Sequence, residues 1–511
     1  MTRVAVATSS RLAADAAHEI AELGGNAVDC AIAASLLTMN TEPGVCALAG
    51  GAYVTVWEAG STAVTIDGNV AIPGLGLESL TAPAGAVPLR LDYGGGVDTA
   101  VGSGSVAVPG SPAALGIASE RFGKLPWRAL FAPSIRAAER GFPLPAACHY
   151  YLEFSGRSIF GRSSDGFHAL HRDDGTLRER GERITVPHLA DSLRAIADEG
   201  SRSFYEGDIA NAMAAHVRDR GGNLTRDDLL QYRAIVRDSL SVQLDGWQIA
   251  VNPPPAVGGA VLAAMLIAFR RDSAGCWTGK SLANLIAVQK AALGYRRAHL
   301  DLCDDVGVEA ARLLELARSG GMLAGAASAS TVHTSAVDDS GLGCAITASS
   351  GYGSGEMPDG TGLWLNNCLG ELELNRRGLT AGPAGARLPS NMTPAVARRA
   401  GAVLAVGSPG ADRITTALHQ FFVNFIQHGR ELPEAIAHPR LHLDLPASGM
   451  RVAIEPGLEI GHQTGNCNLP LVRYPKISMY FGGVGAAMYD VQTGFSVAAD
   501  PRREGATFVS A

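Results

Sequence analysis

A run dominated by Gly, Ala and Ser over residues 319–330 breaks off at Thr331, and "TVHTSAVDDSGLGCAITASS" follows at once as strand, "DDSG" turn and strand. That break divides the chain. Before it, helical signals dominate. "SSRLAADAAHEIAELGG" reads as a helix N-capped by Ser9 or Ser10 and stopped by Gly24–Gly25, and "NAVDCAIAASLLTM" restarts one from Asn26 with Asp29 in its first turn. "GGAYVTVWEAG" alternates as a strand, residues 111–245 read as helix-rich, and the Pro-rich "NPPPAVGG" (252–259) precedes two further helices. After the break, "AVLAVGSPGADRITTALHQFFVNFIQHG" is a strand, a tight turn and a helix. Its Ile414, Leu418, Phe422 and Phe425 share one face, and Gly429 stops it. "VGAAMYDVQTGFSVAADP" closes the pattern as another hairpin.

With 47% hydrophobic and 18% charged residues over 511 positions, the chain can bury a large core. A net charge of −7 without a basic stripe argues against a nucleic-acid partner. The longest apolar run (256–269) is too short for a bilayer and the opening "MTRVAVATSS" lacks a secretory pattern, so no membrane association and a cytoplasmic location are expected. Eight cysteines without metal-ligand spacing read as small buried thiols. "SSGYGSG" (349–355) lacks the context of a phosphate cradle, and His438 and His442, four apart, lack a third ligand. No cofactor or metal is expected. Taken alone, the small-residue run would be a flexible linker.

Ten further segments change that reading. "LGGNAVDCAIAA" (23–34), "GSVAVPGSPAAL" (104–115), "LPWRALFAPSIRAAERGF" (125–142), "FYEGDIA" (204–210) and "GGNLTRDDLLQYRA" (221–234) occur in that order. "NPPPAVGG", "LWLNNCLGEL" (363–372), "LPSNMTPAV" (388–396), "GSPGADRI" (407–414) and "AADPRREGA" (498–506) follow. Together they resemble the γ-glutamyltranspeptidase family of N-terminal nucleophile hydrolases nearly end to end. The resemblance implies an α+β fold, a four-layer αββα sandwich. It also implies a chain that cuts itself between Ser330 and Thr331, giving fragments of 330 and 181 residues (1–330 and 331–511) that stay together as a heterodimer in one interleaved domain. Thr331 would then be the nucleophile.

The chemistry suits the residue. A Thr hydroxyl must lose its proton during attack, and a freed α-amine, with a reference pKa of about 7.7–8.0, supplies a base on the same residue. His333, two positions on, is then not needed as a triad member, and a structural role is expected for it. By resemblance, Thr347 supports the nucleophile, and Gly410 with Ala411 forms the oxyanion hole, Ala411 standing where the family has a second Gly. Backbone N–H groups at a strand-to-helix turn suit that role.

The resemblance also assigns a small-molecule substrate site to Glu371, Ser390, Asn391, Asn367 and Ser349. Asn366 matches the family and Cys368 departs from it. The larger departure is Ser79 in "SLTAP" (79–83), at the place of the arginine that pairs with a substrate α-carboxylate. Ser cannot replace a bidentate guanidinium; Arg90 is the nearby candidate substitute. Three functions follow. One is hydrolysis or transfer of a γ-glutamyl-like or other small acyl amide. Another is the same nucleophile on an atypical bond, as in relatives acting on oxamate, acylated β-lactams or a C–C bond of antibiotic precursors. The last is a non-catalytic binding protein that keeps the fold.

Overall fold

Every residue of the strand Val332–Asp338 is buried, so both of its faces require cover. The computed structural model, which describes residues 2–92, 96–270, 275–319, 331–445, 449–458 and 469–511, supplies that cover with two packed sheets and helices outside each. Ser330 and the small-residue run from 320 lie outside the described residues, as does Cys467. The strands are β1 (Val4–Thr8), β2 (Gly51–Trp57), β3 (Val64–Gly68), β4 (Ile235–Asp238), β5 (Leu240–Leu244), β6 (Trp247–Val251), β7 (Val332–Asp338), β8 (Gly343–Ser349), β9 (Ala395–Arg399), β10 (Ala402–Gly407), β11 (Gly485–Asp490), β12 (Gly494–Ala499) and β13 (Ala506–Val509). The larger sheet runs β13-β1-β7-β8-β2-β3-β4 and the smaller β12-β11-β10-β9-β6-β5, with every neighbouring pair antiparallel.

Small side chains fill the space between the sheets: Ala5, Ala250, Ala345, Ala405 and Ala487, with Val337, Val396 and Val403. The outer face of the larger sheet is covered by the helices Arg11–Glu22, Ala27–Thr41, Ser111–Phe122 and Trp127–Arg140, and that of the smaller by Val257–Ala268, Gly279–Tyr295, Val306–Ser319 and Arg413–Phe422. The result is the α+β sandwich, layered αββα. Both sheets mix strands from before and after residue 331. Among the described residues no helix is long and apolar enough to cross a membrane.

Two local readings need correction. The stretch 235–244, read within a helix-rich region, forms β4 and β5, partly exposed strands at the edges of the two sheets. The helix from Arg413 is α-helical only to Phe422 and widens into a π turn over Val423–Gln427 before Gly429, so Phe425 is only half-buried.

The helix Ala27–Thr41 is buried along its whole length and starts with a capping box of Asn26 and Asp29. Gly25 precedes it because a Cβ there would strike Ile20. Asp338, at the end of β7, ties this helix to the hairpin. Its Oδ1 accepts from the N–H groups of Ser340 (3.0 Å) and Leu342 (3.2 Å), and its Oδ2 from that of Ala27 (3.3 Å). Asp338→Ala leaves the buried N–H groups of Ala27 and Leu342 unpaired and is expected to cost about 2–4 kcal/mol, read as a lower midpoint in urea unfolding.

Candidate active site

The register of β7 on β8 sets Val332 against Ala348 and His333 against Thr347. One step further, Thr331 opens the strand across from Ser349. Alternate residues share a face, so Thr331, His333 and Ser335 line up with Thr347 and Ser349 on the side facing the smaller sheet. Thr331 is 3% exposed, and Thr347 is fully buried. The hydroxyl of Thr347 lies 2.8 Å from Nδ1 of His333, whose Nε2 lies 2.7 Å from Oγ of Ser335.

Thr331 stands between two cavities. The smaller, about 20 Å³, brings Thr331 together with Ser349, Cys368, Glu371, Ser390, Asn391 and Ala411, which are most of the residues named from sequence. Asn69, Val70, Leu374, Leu388, Pro389 and Met392 complete it; Asn69 and Val70 were not foreseen, because nothing local marks a lining residue that arrives from a distant segment. Asn367 does not line it. The amide of Asn367 accepts from the N–H of Tyr352 (2.6 Å) and donates to Thr99 Oγ1 (3.1 Å) and the carbonyl of Ala100 (3.0 Å), holding the turn after β8. Asn366 is likewise spent, between Ala49, Ala107 and Cys368. Ser79 is exposed and lines neither cavity. Arg90 is exposed on an outlying hairpin, where Nη1 meets both carboxylate oxygens of Asp98 at 2.8 Å; it does not stand in for the missing arginine. Among the described lining residues of the smaller cavity there is no Lys or Arg.

Burial disfavours the charged form of the acids at and beside this cavity. Burial, reinforced by the neighbouring Glu373, pushes the Glu371 carboxyl well above its usual range, and its Oε1 has no hydrogen-bond partner among the described residues. Glu373, which accepts from the Tyr352 hydroxyl at 2.6 Å, is raised by burial to about 8. Asn391 is locked by its side-chain amide onto Asp412 (2.6 Å), which also takes Nη1 of the buried Arg296 at 2.7 Å.

Gly410 and Ala411 lie between β10 and the helix from Arg413, with φ of +119° and +66°. No acceptor among the described residues takes either N–H, and Ala411 is 1% exposed on the cavity wall. Open N–H groups at a helix start can stabilise an anion. The left-handed backbone at Ala411 costs about 1–2 kcal/mol in a residue with a Cβ.

The larger cavity, about 220 Å³, lies on the other side of Thr331 and is lined by Ser9, Ser10, Arg11, Glu42, Arg503 and Glu504 among others. Ser10, not Ser9, caps the helix Arg11–Glu22. Ser9 instead donates to Glu42 at 2.6 Å. Burial lifts the Glu42 carboxyl to about 7, against that hydrogen bond and the charge of Arg503. Its one sequence signal is an acid ending an apolar helix. His438 is half-buried and His442 buried, bonded to Thr416 (3.0 Å), away from both cavities.

Comparison with known proteins meets this geometry with a family model. The model described as gamma-glutamyltranspeptidase matches residues 13–510. The chain belongs to the γ-glutamyltranspeptidase family. A glutathione hydrolase proenzyme of Pseudomonas aeruginosa is 28% identical over 478 residues, covering 86% of this chain and 83% of the relative. An acylase ACY 1 proenzyme of a Pseudomonas species (strain V22) is 27% identical over 535 residues, covering 99% and 93%. A cephalosporin acylase from Bacillus halodurans superimposes with a TM-score of 0.82 at 24% identity, covering 99% of this chain and 96% of the other, a likeness of fold. The protein is thus an enzyme of this family, a hydrolase or acyltransferase of the N-terminal nucleophile type.

Two variants probe the strained and buried groups. Ala411→Gly removes the left-handed penalty at the cost of a more flexible unfolded chain, and thermal unfolding should show a net gain of about 0.5–1 kcal/mol. Glu42 is raised from its ordinary 4.5 to about 7 on folding, so between those values the unfolded chain binds fewer protons and this group subtracts stability as pH rises. Glu42→Gln should therefore gain on the wild type from pH 5 to 7, by up to about 3 kcal/mol in urea unfolding. Buried His333, His419 and His442, lowered by burial to about 3, 3 and 4, act oppositely but equally in both proteins and cancel in the difference.

Proposed function

We propose that this enzyme cuts itself at Ser330–Thr331 and then uses Thr331 to transfer a small acyl group that carries no carboxylate, to water or to an amine. The observation that carries the reading is the meeting of Thr331 with Ala411, Glu371, Ser390 and Ser349 around one cavity without a described Lys or Arg. In this mechanism the Thr331 amine takes the proton of its own Oγ as Oγ bonds to the substrate carbonyl carbon. The oxyanion is received by the N–H groups of Gly410 and Ala411. Collapse expels the leaving amine, which takes that proton, and leaves an ester on Thr331. Thr347 supports the nucleophile. Water or an acceptor amine then attacks the ester and gives up a proton to the Thr331 amine, restoring Oγ–H.

The cavity chemistry supports the substrate class. A carboxylate entering it would be desolvated without a cation, an expensive burial. An ammonium would meet the unpartnered Glu371 oxygen and draw that carboxyl into its charged form. Ser390 and Asn391 belong to the same proposal as polar contacts, while the amide of Asn367 acts through the turn it holds. A γ-glutamyl group carries an α-carboxylate and is therefore a poor fit, whereas an aminoacyl amide is a good one.

Intact mass with N-terminal sequencing is the first test. Wild type should give two fragments, the smaller beginning Thr-Val-His-Thr, and Thr331→Ala one uncut 52.8 kDa chain. On p-nitroanilides, kcat/KM should be at least about tenfold higher for an aminoacyl than for a γ-glutamyl donor, and Glu371→Gln should erase most of that preference by raising KM. An uncut wild type, or preference for γ-glutamyl, would sink the proposal. Turnover of a C–C substrate alone would move the same nucleophile to the atypical bond.

A further inference from the structure

The uncut chain poses a chemical problem that the cut one does not. Before cutting, the nitrogen of Thr331 is a peptide nitrogen whose lone pair is delocalised into a carbonyl, so it is no base. Oγ of Thr331 must still lose its proton to attack that carbonyl. The proton has to go to another group on the walls around Thr331. In the smaller cavity the candidates are Glu371, whose charged form burial and the neighbouring Glu373 disfavour, and Cys368, whose thiol burial pushes up. In the larger one, Arg11 and Arg503 are donors only, and Glu504 is exposed and paired with Arg180. Both ring nitrogens of His333 are engaged, by Thr347 (2.8 Å) and Ser335 (2.7 Å), and burial lowers the ring to about 3. Against its burial, Asp500 is held below the usual carboxylate range by Arg440 and Arg502, and its oxygens are taken by those side chains and the N–H of Val484. Glu42 remains. It follows the buried helix Ala27–Thr41, is 5% exposed, and lies on the wall of the same cavity as Thr331. Ser9 donates to its Oε1 at 2.6 Å. Burial lifts the carboxyl to about 7 against Ser9, Arg503 and Ser10, so near neutrality it is partly ionised and still accepts a proton well. The Cys46 and Cys148 thiols are pushed up by burial and then by Glu42 itself.

We propose that Glu42 is the general base of the self-cutting step, reached from Thr331 through water in the larger cavity. A cavity of about 220 Å³ has room for several waters, and Thr8, Ser9, Ser10 and the Glu42 carboxyl supply polar partners for them. The Glu42 carboxylate takes the Oγ proton along that water as Oγ bonds to the carbonyl carbon of Ser330. The C–N bond then breaks, the departing Thr331 nitrogen takes the proton back from Glu42, and an ester joins Ser330 to Oγ. Water adds to the ester and releases Ser330 as a carboxylate. Oγ regains its hydrogen, and the freed amine takes up the remaining proton. From then on the amine can serve as base on its own residue, and Glu42 is needed only once. The inference rests on the reading of Thr331 as nucleophile.

A base and a scaffold give opposite pH trends. Ionising Glu42 weakens the fold, so a scaffold would support cutting less as pH rises, whereas a base speeds it. Full-length chains are made by cell-free translation with a short pulse of labelled methionine and chased at about pH 5.5–8.5, a range that brackets the ionisation of Glu42. Cutting is read as the appearance of the two fragments. In wild type the rate should rise about tenfold per pH unit below about 7 and level off above it. Glu42→Gln keeps the shape of the side chain and should be the more stable chain. It should cut about a hundredfold or more slowly at neutral pH and lack the rising limb. Glu42→Ala opens room beside Ser9, and formate, but not chloride at equal ionic strength, should speed its cutting at least about tenfold. A Glu42→Gln chain that cuts within about threefold of wild type overturns the base role alone. So does a wild-type rate that falls as pH rises, or slow cutting of both variants without a response to formate. A wild type that remains uncut at every pH removes the Thr331 reading, and this inference with it.

Discussion

The interior placement of the β7–β8 hairpin is the constraint on which the site depends. β7 is hydrogen-bonded on both edges, to β1 and to β8, and buried on both faces. A strand so enclosed has its register fixed, since a slip of one residue would turn every side chain to the opposite face. Thr331 inherits that precision as the first residue before the strand, and His333, Ser335, Thr347 and Ser349 follow by alternation. The hairpin itself is anchored by Asp338, which joins its turn to the start of the buried helix Ala27–Thr41.

The opposite wall is held by charge. Asp500 accepts from the N–H of Val484 (2.8 Å) and from buried Arg440 (2.7 Å) and Arg502 (3.1 Å), and Arg502 also pairs with buried Glu455. Breaking such a pair leaves an uncompensated buried charge, whereas intact it fixes a unique arrangement. What it fixes is the Gly483–Gly485 segment, which lines the larger cavity and whose Gly485 carbonyl accepts from the Ser335 hydroxyl.

Much of this was legible in the sequence wherever the signal is local. Asn26 and Asp29 announce a helix start, alternation from Val332 announces a strand, and the ordered motifs announce the family and its sandwich. The cavity residues Ser349, Glu371, Ser390, Asn391 and Ala411 could be placed by motif because each sits on a short segment of fixed local geometry. Asn367 could not be judged that way, since its amide is consumed by Thr99, Ala100 and Tyr352, partners up to 268 residues away. Arg90 was near Ser79 in sequence but points into a surface hairpin. Glu42 was invisible because burial, which no local pattern shows, decides its character.

The sheet order has a consequence for a chain cut before Thr331. β1 comes from the first part of the chain and lies between β7 and β13, both from the second; in the smaller sheet β6 from the first part pairs with β9 from the second. The two pieces would be woven rather than docked, with no intact sheet belonging to either alone. Cutting would leave the native contacts in place yet change the order of the folding reaction. The uncut chain folds as a first-order process at any dilution, while the cut pair can regain its sheets only by meeting, as a second-order one. Maturation of this kind would convert reversible stability into a one-way commitment, with the folded state persisting through slow unfolding and not through ready refolding.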